Sequence, residues 1–167
     1  NLFLKFQKHI DNGLYPGVEW KINYRDKIYQ GKAGYLDLTN KHPIQNNSIY
    51  RIWSMTKPIV SIVILQLFEE NKIDLNDPLN LYLPIFDNLK IINIKNHINS
   101  SNKNFKNMPT IKDLLLHTAG FSYNFFDDEV AKEYSTKKLF YSSNTTLEEE
   151  INILASCPLL YQPSKKW

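Results

Sequence analysis

The chain reads as an α+β protein, in which helices are segregated from a small antiparallel sheet. Three observations predict this. Val18–Tyr24 and Lys27–Tyr35 are strand-like runs on either side of Arg25-Asp26, a hairpin pattern. The run Pro58–Phe68 is almost wholly apolar, too long for one strand and too short for a bilayer span. Thr110, with Asp113 three residues on, has the form of a helix start, and most of the remaining chain is helical in character.

The elements follow in chain order. Val18-Glu19-Trp20-Lys21-Ile22-Asn23-Tyr24 alternates with period 2, and Arg25-Asp26 turns it into Lys27-Ile28-Tyr29-Gln30-Gly31-Lys32-Ala33-Gly34-Tyr35. A lone hairpin is marginal in water, and two strands are too few for the helices to pack against, so an incomplete sheet is expected. The helix behind Ser54 has Pro58 in its first turn, where a missing N–H costs no hydrogen bond, and a polar exit at Glu69-Glu70-Asn71. Its apolar sequence predicts a buried helix. A short helical turn is expected near Asp77–Leu83, then helices over Thr110–His117, with Gly120 just past the end, and over Thr146–Ser156. Between Asp87 and Pro109, Asn, Ser, Ile and the cations Lys90, Lys95, Lys103 and Lys106 predict a solvated insertion loop. A nucleic-acid platform would interleave aromatic rings with such charges; only Phe105 does so, and the net charge is +3.

The chemistry concentrates at Ser54-Met55-Thr56-Lys57, which sets a hydroxyl and an amine three residues apart at the mouth of the apolar helix. Ser100-Ser101-Asn102-Lys103 and Ser135-Thr136-Lys137-Lys138 share the spacing, but no apolar helix follows either, and both read as solvated loops. Residues three apart on a helix share a face, so Lys57 can reach the Ser54 hydroxyl. Burial beside apolar groups favours a neutral lysine, which can take the serine proton. The Ser54 N–H, at a helix start, is an available donor to a developing oxyanion. A helix cap with a surface lysine is the alternative reading of the same residues. His117, in a last helical turn, reads as structural. The single cysteine, Cys157, admits no internal disulfide and reads as a buried small residue. The four scattered histidines suggest no metal site, and no cofactor is indicated.

Tyr50-Arg51-Ile52-Trp53-Ser54-Met55-Thr56-Lys57-Pro58 resembles the active-site segment of the serine beta-lactamase-related family, which includes class C beta-lactamases, D-alanyl-D-alanine carboxypeptidases and esterases of the same fold. Thr110-Ile111-Lys112-Asp113-Leu114-Leu115-Leu116-His117-Thr118-Ala119-Gly120-Phe121 is similar to that family's Leu-Leu-x-His-Thr-Ser/Ala-Gly helix. Asp74 to Pro84 has the family's look between them. Pro158–Trp167 resembles the segment preceding its Tyr-x-Asn motif.

The resemblance implies a beta-lactamase/transpeptidase-like fold, with an N-terminal helix at about Leu2–Asn12 packed on the hairpin and further strands completing the sheet. It implies Ser54 as acylated nucleophile and Lys57 as general base. It also implies that the loop carrying Phe121, Tyr123, Phe125, Phe126 and Tyr134 borders the cleft, making Phe121 and Tyr123 candidate substrate-binding residues; core or flap packing is the alternative. Neither Tyr-x-Asn nor a later Lys/His-x-Gly strand follows the third block, and Tyr141-Ser142-Ser143-Asn144 has the wrong spacing and place. The expectation is therefore a single incomplete domain over residues 1–167, an N-terminal portion inactive by itself. The complete protein is expected to be a serine hydrolase acting on an ester, beta-lactam or peptide-like small molecule, esters first because of the Ser-Met-Thr-Lys-Pro wording. No nucleic-acid partner and no membrane span are expected, and the sequence assigns no compartment. The rivals are a non-catalytic binding or regulatory module with a vestigial Ser-x-x-Lys, and an unrelated, complete helical protein.

Overall fold

In the computed structural model, residues 1–92, 106–141 and 144–167 are described. The Ser100–Lys103 match, Lys95, Phe105 and the centre of the expected insertion loop lie outside them, as do Ser142 and Ser143. The chain divides into two compact units, Asn1–Ser54 and Met55–Trp167.

The first unit is a helix on a hairpin. Helix α1, Leu2–Asp11, starts where the Asn1 side chain accepts a hydrogen bond from the Phe3 N–H at 3.0 Å. Strand β1, Gly17–Tyr24, pairs antiparallel with β2, Lys27–Gly34, with Tyr24 opposite Lys27 across the expected turn at Arg25-Asp26. Arg25 and Asp26 both adopt left-handed backbone, φ 48° and 61°, as a two-residue hairpin loop requires to follow the strand twist. Phe6 of α1 meets Trp20 of β1 with ring centroids 4.9 Å apart. Trp20 lies opposite Gly31, where a Cβ would come within 2.3 Å of the indole, so the absent side chain makes room for the ring. The Tyr50 hydroxyl donates to Glu19 at 3.0 Å.

The second unit is helical: α2 Thr56–Glu69, α3 Leu79–Tyr82, α4 Ile111–Leu115, α5 Glu129–Thr136 and α6 Leu147–Ala155. A single 3-10 turn, Pro84–Phe86, follows α3. Two apolar clusters form its core. Leu79, Phe86, Leu89 and Leu159 make one; Val130, Tyr134, Leu139 and Cys157 make the other. Leu154 of α6 packs against both and joins them. The segment around Leu159 runs between two others: Ile92 N–H donates to Leu159 O, and Leu160 N–H to Gly120 O. Gly120 sits at φ 92°, and a Cβ there would fall 2.2 Å from the Tyr161 carbonyl oxygen, so this close crossing requires glycine.

Three sequence expectations are corrected here. The apolar helix α2 is not buried: it has no buried residue, and Ile59, Val60, Ile62 and Val63 are about half exposed, because none of the described residues encloses it. Helix α4 stops at Leu115 rather than His117, and His117 itself takes the left-handed conformation at φ 58°; Gly120 serves the later crossing instead. Ser135 lies in the last turn of α5, its hydroxyl donating to Ala131 O at 3.0 Å, not in a loop.

One carboxylate ties the unit together. Asp113 is buried, and its oxygens accept from the Thr110 N–H and hydroxyl, the Thr118 hydroxyl at 3.0 Å and the Ser164 hydroxyl at 2.5 Å. In return the Thr110 hydroxyl accepts the Asp113 N–H, completing a capping box. Burial pushes the Asp113 carboxyl up, but the hydrogen bonds from Ser164, Thr110 and Thr118 outweigh it and hold the group below the usual range. The stabilisation is therefore present above the unfolded carboxylate value near pH ~4 and is lost as pH falls below it. Asp113→Asn, which turns one acceptor oxygen into a donor facing hydroxyls, is expected to cost about 2 kcal/mol in denaturant unfolding. It should also flatten the loss of stability below about pH 4. For the hairpin, replacing Arg25-Asp26 by Asn-Gly should stabilise the first unit by about 1 kcal/mol, read from its thermal unfolding, since both residues already occupy left-handed backbone.

Candidate active site

The approach to Ser54 is a bent backbone. Trp53 has φ 46°, unusual for a bulky residue, and it begins the 3-10 turn Trp53–Met55 that contains Ser54. That turn runs directly into α2 at Thr56, so Ser54 lies two residues before the α-helix and Lys57 is its second residue. The stretch from Trp53 to Glu69 is continuously helical in hydrogen-bonding type. Both Ser54 and Lys57 are exposed. The desolvation that the sequence reading assigned to Lys57 is thus not supplied by the described residues.

Within the second unit, the structure brings Lys57 to Tyr123: the ammonium Nζ stands 5.8 Å from the ring centroid, within cation–π range. Tyr123 belongs to an exposed trio of rings. Phe125 stacks on it, centroids 4.9 Å and planes 21° apart, while Phe126 meets both rings edge-on, at 6.1 Å from Tyr123 and 4.9 Å from Phe125. The Phe126 N–H donates to Tyr123 O at 3.1 Å, so residues 123–126 form one tight turn.

The other two aromatic residues of the predicted cluster go elsewhere. Phe121 is half-buried, edge-on to Phe86 at 6.1 Å, against the first core cluster. Tyr134 is fully buried in the second. Its phenol is pushed well above the usual range, burial being the chief cause, and its oxygen accepts from the Ser122 N–H at 3.4 Å. The turn carrying Tyr123 is therefore held at both ends. The Ser122 hydroxyl donates to Asp128 at 2.6 Å, and Asp128 caps α5 by accepting from the Ala131 N–H at 2.8 Å. Sequence reasoning missed α5. Its signal was present in Asp128 as a cap, with Val130, Ala131 and Tyr134 as a helical apolar face.

Lys32-Ala33-Gly34 on β2 also has a bare Lys-x-Gly spacing, but Lys32 donates to Asn46 at 2.9 Å, and Gly34 turns left-handed against Pro16. Cys157 is buried, its thiol pushed up by burial against the opposing pull of Lys137. Among the described residues no three His, Cys, Asp or Glu side chains gather as metal ligands, and no helix is long and apolar enough to cross a membrane.

Comparison with known proteins adds a second line. Residues 5–167 match the family model described as Beta-lactamase. A protein of Salmonella typhimurium named as a D-alanyl-D-alanine carboxypeptidase is 34% identical over 96% of this chain and 35% of its own length. Esterase EstB of Burkholderia gladioli is 25% identical over 84% of this chain and 33% of its own. The solved structure of EstCE1, described as a hydrolase with promiscuous acyltransferase activity, has the same fold: TM-score 0.74 at 24% identity, covering 97% of this chain and 40% of that one. The chain thus spans between a third and two fifths of the length of these relatives.

The division of labour among the rings is directly measurable. Phe121→Ala, which empties a place beside Phe86, should lower stability by about 2 kcal/mol. Phe125→Ala, at a side chain 72% exposed, should change it by less than about 0.5 kcal/mol. Denaturant midpoints of the two variants provide the check.

Proposed function

The chain belongs to the beta-lactamase family, and from that premise we propose that it supplies the nucleophile and general base of a serine hydrolase. Ser54 attacks the carbonyl carbon of an ester or amide, Lys57 accepts the hydroxyl proton as the bond forms, and the leaving group departs with a proton returned to it. Water then hydrolyses the acyl-Ser54 intermediate by the reverse path.

The observation that supports this reading is the run of helical turns from Trp53 into α2, in which Ser54 and Lys57 stand three residues apart. The backbone bend at Trp53, directly before the candidate nucleophile, is the kind of departure from relaxed geometry that clusters at working sites. Ester substrates are favoured, since one relative is named as an esterase and the Ser-Met-Thr-Lys-Pro segment resembles the esterase branch of the family. The family pattern also calls for a Tyr-x-Asn and a late Lys/His-x-Gly strand to complete proton transfer and the oxyanion hole. Residues 1–167 alone are accordingly read as one incomplete domain with no appreciable turnover, because a missing oxyanion donor by itself costs ~10²–10³ in rate.

The exposure of Lys57 favours a second reading, a non-catalytic module in which the Ser-x-x-Lys pair is vestigial. A fluorophosphonate probe with mass-spectrometric site mapping separates the two on the complete protein. Labelling at Ser54 is expected, abolished in Ser54→Ala, and Lys57→Ala should slow hydrolysis of a p-nitrophenyl ester by about 10²–10⁴. A folded protein left unlabelled would sustain the vestigial reading instead.

A further inference from the structure

We propose that Tyr123 is a positioning residue for Lys57: the face of its ring holds the ammonium in place for work on the Ser54 hydroxyl. The inference rests on the hydrolase reading above and assigns a residue to it on geometry alone.

A lysine side chain has four rotatable bonds and a strongly hydrated head, so an exposed one samples many positions. A general base must stand within hydrogen-bond reach of its proton, and a misplacement of about 1 Å can cost ~10² in rate. A fixed ring beside the ammonium narrows that search, because the quadrupole attracts the cation to the ring face. The 5.8 Å separation of Lys57 Nζ from the Tyr123 centroid meets this requirement, and both residues belong to the same compact unit.

A ring can position a cation only if the ring itself is held, and Tyr123 is. Its turn is closed by the Phe126 N–H, and its ring is flanked by Phe125 in a stack and Phe126 at its edge. One residue before it, the Ser122 hydroxyl is tied to Asp128, the cap of α5, and two residues before it Phe121 is packed into the core. Tyr123 thus projects from a turn pinned to the interior while remaining 38% exposed. The contact uses the ring face and not the phenol oxygen, so the hydroxyl is dispensable.

The test follows from that last point. In the complete protein, Tyr123→Phe and Tyr123→Trp keep an aromatic face, and Tyr123→Leu removes it while remaining apolar. The rate of fluorophosphonate labelling at Ser54 should stay within about twofold of wild type in Tyr123→Phe and Tyr123→Trp, and fall about tenfold in Tyr123→Leu. For an ester substrate the loss should appear in kcat with KM little changed. Equal rates for Tyr123→Leu and wild type would overturn the proposal. So would a loss in Tyr123→Phe as large as that in Tyr123→Leu, which would make the hydroxyl the working group. An independent readout comes from lysines carrying ¹³C-dimethyl groups, with the Lys57 signal assigned through Lys57→Arg. Its ring-current displacement should persist in Tyr123→Phe and vanish in Tyr123→Leu. An unmoved Lys57 signal in Tyr123→Leu would sink this inference alone, whereas absence of any Ser54 labelling in the wild type would sink the hydrolase reading it stands on.

Discussion

The buried carboxylate of Asp113 is the constraint from which the helical unit is built. A carboxylate can enter an interior only with its acceptor capacity filled, and here the filling groups come from three places in the chain: Thr110, Thr118 and Ser164. Meeting that requirement starts α4, turns the chain after it, and draws in a segment about fifty residues downstream. The Ser164 N–H also donates to Thr118 O, so side chain and backbone fix the same junction. Once Ser164 is there, Leu159 and Leu160 lie between residues 90–92 and 120, and Leu159 completes the first core cluster.

The rigidity of that junction bears on the chemistry because the loop after Gly120 starts from it. Phe121 enters the core, Ser122 is tied to Asp128 and to the Tyr134 hydroxyl, and the Tyr123 turn is what remains outside. Lys57 reaches this turn from the first turn of α2. The contrast with α2 is instructive. A helix apolar on all sides is of the kind that is normally enclosed, yet α2 carries about half-exposed Ile and Val side chains here. The contact of Lys57 with the Tyr123 ring ties the first turn of α2 to the aromatic turn.

Much of the architecture was legible where the signal is local. The hairpin follows from alternation, and its loop was correctly placed at Arg25-Asp26 although neither residue is the glycine or asparagine usual there. Helices α4 and α6 are capped by Thr110 and Thr146, each closing a capping box with the acidic residue three positions on. Errors arose where a local pattern had two solutions. His117 and Gly120 were both able to end α4 in left-handed backbone; the histidine does so, and the glycine is reserved for a crossing invisible in sequence. Helix α5 was not legible as one because the rings from Phe121 to Tyr134 dominate that stretch, while its own signals, the cap at Asp128 and the apolar face of Val130, Ala131 and Tyr134, are short.

By itself, the sequence determined the short-range structure and the family: caps, turns and alternation involve partners within a few residues, and the Ser54–Pro58 and Thr110–Phe121 blocks carry the likeness. Only the tertiary structure decided the fate of chemically similar side chains. Of five aromatic residues in one stretch, Tyr134 is buried, Phe121 half-buried, and Tyr123, Phe125 and Phe126 are left outside. It alone decided that α2 is exposed, that Asp113 is a four-way acceptor, and that Lys57 faces a ring. The physical reason is the same in each case: burial and cation–π contact depend on groups far apart in the chain, whose meeting is set by core packing and by the need to satisfy every enclosed polar atom.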